Sequence, residues 1–192
     1  NFCGNELPDG MRKNEAFPEP IITPSTKAAQ GEHDESVAPS ELYKRGAVDP
    51  GLYKELARIS MRLYERGVSR AADHGMIFVD TKYEFGISNG KIMLMDEVNT
   101  PDSSRYWMKD DYEDRFEKGE EPRKLDKEYV RTWLSEQGFT GDGKPPKLTD
   151  EIRVEASARY MEVVEKFTGE PMQLDVGPVD KSIYSILNPF AY

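Results

Sequence analysis

Asp80, Lys82 and Glu84 recur at every second position of Val79-Asp80-Thr81-Lys82-Tyr83-Glu84-Phe85, and Asp96-Glu97 follow further on. In an extended strand the period of two gathers Asp80, Lys82 and Glu84 on one face and sends Val79, Thr81, Tyr83 and Phe85 to the other. Three ionisable groups in a row are costly unless they face water, each other or a ligand. A lysine among carboxylates can neutralise charge that develops on a substrate, and carboxylates offer oxygen to a hard cation. Downstream, Asn99-Thr100-Pro101-Asp102-Ser103-Ser104-Arg105 adds hydroxyls and a guanidinium suited to a phosphate. The bland alternative is a solvated strand face with cross-strand ion pairs, each worth less than about 1 kcal/mol, followed by an ordinary turn.

These residues sit in a stretch, 76–107, that reads as a β-hairpin running into a polar loop. Its turn admits two registers. A two-residue Asn89-Gly90 turn pairs Ser88 with Lys91 and sets Glu84 opposite Met95, which sends Asp96 to the other face. A three-residue Ser88-Asn89-Gly90 loop pairs Ile87 with Lys91 and leaves Glu84 and Asp96 as diagonal neighbours on one face, roughly 7 Å apart. Hydrophobic patterning does not choose between them.

Around the hairpin the pattern predicts helices, giving an α+β chain in which antiparallel strands are flanked by helical segments. Residues 1–39 carry prolines at 8, 18, 20, 24 and 39 and read as an extended, loop-rich arm. Residues 40–169 form the central α+β domain, and 170–192 a tail. Asp49-Pro50 caps a helix whose apolar face is Leu52, Leu56, Ile59 and Leu63. That helix can reach Asp73, with Gly67 a weak point and His74-Gly75 a stop. Residues 110–122 are a solvated helix or ordered loop, with Tyr112 and Phe116 as an apolar pair. Asp126 can cap a short helix bearing Tyr129, Val130, Trp133 and Leu134. Thr149 opens a long one with Ile152, Ala156, Tyr160, Val163, Val164 and Phe167, closed by Gly169.

A formal charge of −10 argues against nucleic acid or an anionic membrane as the main partner. No apolar run approaches the ~18 residues of a membrane span. The single cysteine, Cys3, cannot form an internal disulfide and fits a cytoplasmic protein. The oligomeric state is left open, a homo-oligomer included. The first residue is Asn rather than Met, which suggests that further chain precedes it.

Val79-Asp80-Thr81-Lys82-Tyr83-Glu84-Phe85-Gly86 resembles the Asp-x-Lys-x-Glu-Phe-Gly signature of SAICAR synthetases, the phosphoribosylaminoimidazole-succinocarboxamide synthase family. Asp96-Glu97 and Thr100-Pro101-Asp102-Ser103-Ser104-Arg105-Tyr106-Trp107 resemble its downstream strand and loop. In the arm, Phe17-Pro18-Glu19-Pro20-Ile21-Ile22-Thr23-Pro24-Ser25-Thr26-Lys27 and Gly31-Glu32-His33-Asp34-Glu35 are similar to a loop of the family's long form. The likeness spans about residues 5–169. Phe78 stands where the family usually has leucine, and the family's N-terminal lobe, with its glycine-rich ATP-phosphate loop, has no counterpart in the sequence.

The resemblance implies the C-terminal region of a two-lobed, ATP-dependent ligase of purine biosynthesis. Its substrates would be ATP, L-aspartate and a carboxyaminoimidazole ribotide, joined through an acyl phosphate with Mg²⁺. It assigns Glu84 and Asp96 to the magnesium and its nucleotide, and Lys82 to the substrate carboxylate. Asp80 would orient Lys82 or take part in the metal's outer shell. Asp102 would bind the imidazole's amino group, and Arg105 with Ser104 the ribotide phosphate. Lys27, His33 and Asp34 would lie near the substrates. A shared metal then requires the odd, three-residue turn with Gly90 at positive φ. The alternatives are a non-catalytic ribotide-binding module or another Mg-dependent phosphotransferase of related fold.

Overall fold

Asp49 accepts a hydrogen bond from the Leu52 amide and Pro50 supplies a preset φ, so the long helix Pro50–Asp73 starts where the cap residues direct it. The structure, a computed structural model, describes residues 2–26 and 34–172. Its elements are β1 (Ser25–Thr26), β2 (Glu35–Ser36), α1 (Pro39–Lys44), α2 (Pro50–Asp73), β3 (Met76–Thr81), β4 (Glu84–Ser88), β5 (Lys91–Met95), β6 (Ser104–Met108), α3 (Tyr112–Lys118), α4 (Glu128–Glu136) and α5 (Asp150–Thr168). Helices and antiparallel strands are mixed, as expected. The short α1 and the β1–β2 pair lie in or beside the arm read as loop.

The expected hairpin strand is in fact two strands. It breaks at Lys82-Tyr83: β3 pairs antiparallel with β6, and β4 with β5. Residues 104–108, taken as the end of a polar loop, form β6 because Tyr106, Trp107 and Met108 are all buried, a run with no alternation to announce a strand. The turn expectation is also corrected. Ser88 pairs with Lys91 and Glu84 with Met95, so Asn89-Gly90 is a two-residue turn. Its residues have φ of 51° and 73°, the double positive φ that matches the twist of a tight hairpin.

The core lies between α2, the β3–β6 pair and α5. Ala71, Met76, Phe78, Tyr106, Met108, Leu125 and Val163 form one buried cluster, with Tyr64 and Phe167 packed against it. Tyr64 stacks on Phe78 at 5.3 Å, Phe78 lies 5.0 Å from Tyr106, and Phe167 meets Tyr106 edge-on at 5.5 Å. Gly67 does not weaken α2, which continues through it. A Cβ there would lie 2.7 Å from Phe78 Cε1, so glycine is what lets the helix approach β3. The aliphatic face Leu52, Leu56, Ile59 and Leu63 is half-buried, and the fully buried positions of α2 are Gly67 and Ala71. On α5, Val163 is buried but Val164 is exposed, a correction to the expected face. Thr149 and Gly169 bound α5 as expected.

Candidate functional site

β3 carries its core residues and its charged residue at the same parity. Met76 and Phe78 are buried, and strict alternation would bury Asp80 with them. A bulge prevents this: Phe78 pairs with Tyr106, but Asp80 pairs with Arg105, leaving Val79 as the extra residue. The one-residue shift turns Asp80 to the face opposite the core. Tyr64 Oη, donating between the carbonyls of Phe78 (3.2 Å) and Val79 (3.1 Å), holds the bulge from the helix side.

On that face Arg105 Nε donates to both carboxylate oxygens of Asp80, at 2.8 and 3.0 Å, and its terminal nitrogen Nη2 donates to Oδ2. The paired carboxylate raises the Arg105 pKa further above an already high value, so the guanidinium is a permanent cation. Asp80 therefore orients Arg105, a role its place in the sequence did not suggest. Ser104 is buried, and its hydroxyl donates to Thr81 Oγ1 at 2.8 Å. This ties β6 to β3 beside Arg105.

Lys82 Nζ reaches Asp34 Oδ2 at 2.9 Å and Glu84 Oε1 at 3.0 Å, and its backbone N–H donates to the Ser103 carbonyl. Hydrogen bonds from the ammonium to Asp34 first, then to Glu84, raise its pKa, so it acts as a cation and not as a base at neutral pH. Asp34, distant in sequence, is thus brought to the signature lysine. Lys27 and His33 lie outside the described residues.

Asp80, Thr81, Lys82, Asp102, Ser104 and Arg105 line one open cavity of about 340 Å³, together with Lys127, Glu128 and Arg131 of the α4 start. Sequence reasoning missed these last three. Lys127 Nζ lies 3.5 Å from Asp102, and Arg131 pairs with Glu128 one turn along α4. Two cations four apart in Lys127-Glu128-Tyr129-Val130-Arg131 were the available signal, but an exposed helix face carries such pairs routinely. With Lys82 and Arg105, Lys127 and Arg131 set four cations around a space sized for a small phosphorylated molecule.

Glu84 and Asp96 stand apart from this cavity lining, at the open end of the β4–β5 hairpin. Glu84 faces Met95, and Asp96 follows it at φ 65°, off the strand path. The shared strand face expected from an odd turn is therefore absent, and the odd turn is not a requirement after all: with Asp96 at positive φ and outside β5, the strand period no longer fixes the side to which its carboxylate turns. Among the described residues no group of three or more His, Cys, Asp or Glu side chains forms a metal cage. The donor chemistry still suits magnesium, which commonly takes one or two protein carboxylates and completes its shell with phosphate oxygens and water.

Tyr83 Oη donates to Asn99 Oδ1 at 2.7 Å and Tyr106 Oη to the Asn99 carbonyl, so Asn99, at φ 59°, fixes the start of the Asp102 loop. Burial raises the Tyr83 pKa to about 12, which keeps the phenol a donor.

A family model described as SAICAR synthetase matches residues 2–169. The phosphoribosylaminoimidazole-succinocarboxamide synthase of Bacteroides thetaiotaomicron is 54% identical over 171 residues, covering 88% of this chain and 54% of the relative. Among solved structures, the SAICAR-synthase from Saccharomyces cerevisiae complexed with SAICAR superposes with a TM-score of 0.73 at 35% identity, over 90% of this chain and 54% of that one. A type-2 SAICAR synthetase in complex with ADP gives 0.62 at 26% identity, over 85% and 57%. The chain spans about half the length of these relatives.

Proposed function

Because the chain belongs to the SAICAR synthetase family, we propose that it carries the ribotide side of an ATP-dependent ligase of purine biosynthesis. The reaction joins L-aspartate to the carboxylate of 5-amino-1-(5-phosphoribosyl)imidazole-4-carboxylate. One observation carries the reading: the cavity that sets Arg105, Lys127 and Arg131 around Asp102 and Ser104. A phosphate monoester is matched by such a cation set, and a carboxylate such as Asp102 can accept from an aromatic amine.

In this reading the carboxylate oxygen of the ribotide attacks the γ-phosphorus of ATP, and ADP leaves. The aspartate amine then attacks the acyl carbon, loses a proton, and expels phosphate. Lys82, held as an ammonium by Asp34 and Glu84, steadies the carboxylate and the charge that builds on it. Arg105, held by Asp80, grips the ribotide phosphate with Ser104 beside it. Asp34, paired with Lys82, would lie beside the substrates, and the family likeness extends that role to Lys27 and His33. Glu84 and Asp96 would hold Mg²⁺, which supplies charge neutralisation between the phosphates. ATP is the co-substrate, and the protein works in the cytoplasm.

The test is ADP release measured with and without L-aspartate and with and without the ribotide, beside a calorimetric titration with the ribotide. ADP release is expected only when both substrates are present. Release independent of aspartate, or activity that survives Glu84→Ala with Asp96→Ala, would sink the assignment. Ribotide binding with no ADP release under any combination would instead mark the chain as a binding module.

A further inference from the structure

Asp126 has one of the most deeply buried side chains among the described residues, 2% exposed, and no substrate role accounts for it. Its surroundings do. Residues 123–126 run antiparallel to β6: Met108 N–H donates to the Arg123 carbonyl at 3.0 Å, and Leu125 N–H to the Tyr106 carbonyl at 2.8 Å. The next rung should take the Tyr106 N–H, but the chain turns away there to begin α4. Asp126 Oδ2 fills the rung instead, accepting from Tyr106 N at 2.9 Å. Oδ1 accepts from Glu128 N at 2.8 Å, in the first turn of α4. One carboxylate therefore ends a ladder and starts a helix.

Each of its two partners sits beside a cation of the cavity. Tyr106 follows Arg105 on β6, and Glu128 follows Lys127, with Arg131 one turn further along α4. We propose that Asp126 is a positioning residue that sets the gap between the two cationic walls of the cavity by bonding the backbone of both. The proposal rests on the ribotide reading above, since the gap matters only if a phosphorylated ligand bridges it. A carboxylate suits this position because two N–H donors converge on it, and it alone among short side chains offers two acceptors and no donor. Burial raises its pKa against the pull of those two amides and Arg105, so the ionised, doubly accepting form is held at a desolvation cost.

Two substitutions separate the contacts. Asp126→Asn keeps the shape but turns an amide NH₂ against one of the N–H donors. Asp126→Ser keeps an oxygen that can cap Glu128 and is too short to reach Tyr106. Titration with ribose 5-phosphate and with the succinocarboxamide ribotide is carried out well below the melting temperature, with circular dichroism confirming folded protein. Both variants should weaken both ligands by about tenfold or more, since a misplacement of about 1 Å in a binding constellation costs up to roughly a hundredfold. In the unaltered protein, ligand should slow amide hydrogen exchange at Tyr106 and Glu128 together.

Folded variants with lowered melting temperature and unchanged ligand affinity would overturn the proposal, because a purely structural role predicts that pattern. Should neither variant fold, the exchange measurement decides: protection at one amide without the other, or at neither, is equally fatal. If the unaltered protein binds neither ligand, the ribotide reading fails and not the strut geometry.

Discussion

Replacing Gly67 with alanine should destabilise the protein, against the usual effect in a helix interior. Helix propensity alone favours alanine by about 1 kcal/mol. The structure opposes it: the new Cβ would meet Phe78 Cε1 at 2.7 Å, Phe78 Cδ1 at 3.0 Å and Asn99 Nδ2 at 3.0 Å. Carbon atoms prefer roughly 3.5–4.0 Å, so the ring must retreat by about 1 Å. It has little room to do so, since Phe78 is buried and packed between Tyr64 and Tyr106. Overpacking of this kind costs about 1–3 kcal/mol, which exceeds the propensity gain. The expected net loss is about 1 kcal/mol, a fall in melting temperature of roughly 2–4 °C for a chain of this size. Thermal unfolding by circular dichroism reads it directly. A Gly67→Ala protein as stable as the parent, or more so, would refute the close approach of α2 to β3.

Arg105→Lys should weaken phosphate-monoester binding by about tenfold or more in calorimetry, because an ammonium cannot reproduce the fork that Asp80 orients. Tyr64→Phe keeps the stack on Phe78 but removes the hydroxyl from the bulge carbonyls, so denaturant unfolding should show a loss of about 1 kcal/mol. Lys82 has a folded-state pKa raised above its unfolded value, so its stabilising contribution is complete below the unfolded lysine pKa and fades as pH rises through the folded one. The stability gap between the parent and Lys82→Met should therefore stay constant through neutral pH and narrow only in strong alkali; a gap that closes between about pH 6 and 9 would refute the sign. Gly90→Ala, at φ 73°, should cost about 1 kcal/mol by the same unfolding assay.

Local chemistry made the helix boundaries legible. Asp49-Pro50, Thr149 and Gly169 act within a few residues of themselves, and each sits where its conformational preference puts it. The hairpin turn was legible as Asn-Gly, but its register was inferred from a metal pairing and not from the turn type, and the turn type prevailed. What the sequence concealed is tertiary. The partner of β3 is β6, which buries three residues in succession and so carries no period of two. The bulge at Val79 has no glycine to mark it, and without it the charged signature would point into the core. Asp34 joins Lys82, and Lys127 joins Asp102, through contacts between elements far apart in the chain, so spacing could not have suggested either pair. Asp126 reads from its place in the chain as the cap of α4, but the cap position is Lys127 and Asp126 bonds the Glu128 amide from one residue further back; that its second oxygen completes a strand ladder was not readable at all.

The break at Lys82-Tyr83 changes what the signature is. Asp80 is laddered to β6 and Arg105, Glu84 is laddered to β5, and Lys82 lies at the seam with its backbone on one side and its ammonium reaching to the other. No strand ladder crosses Lys82-Tyr83, so the signature is a splice between two separate sheets, and the Lys82–Glu84 ion pair is a side-chain stitch across it.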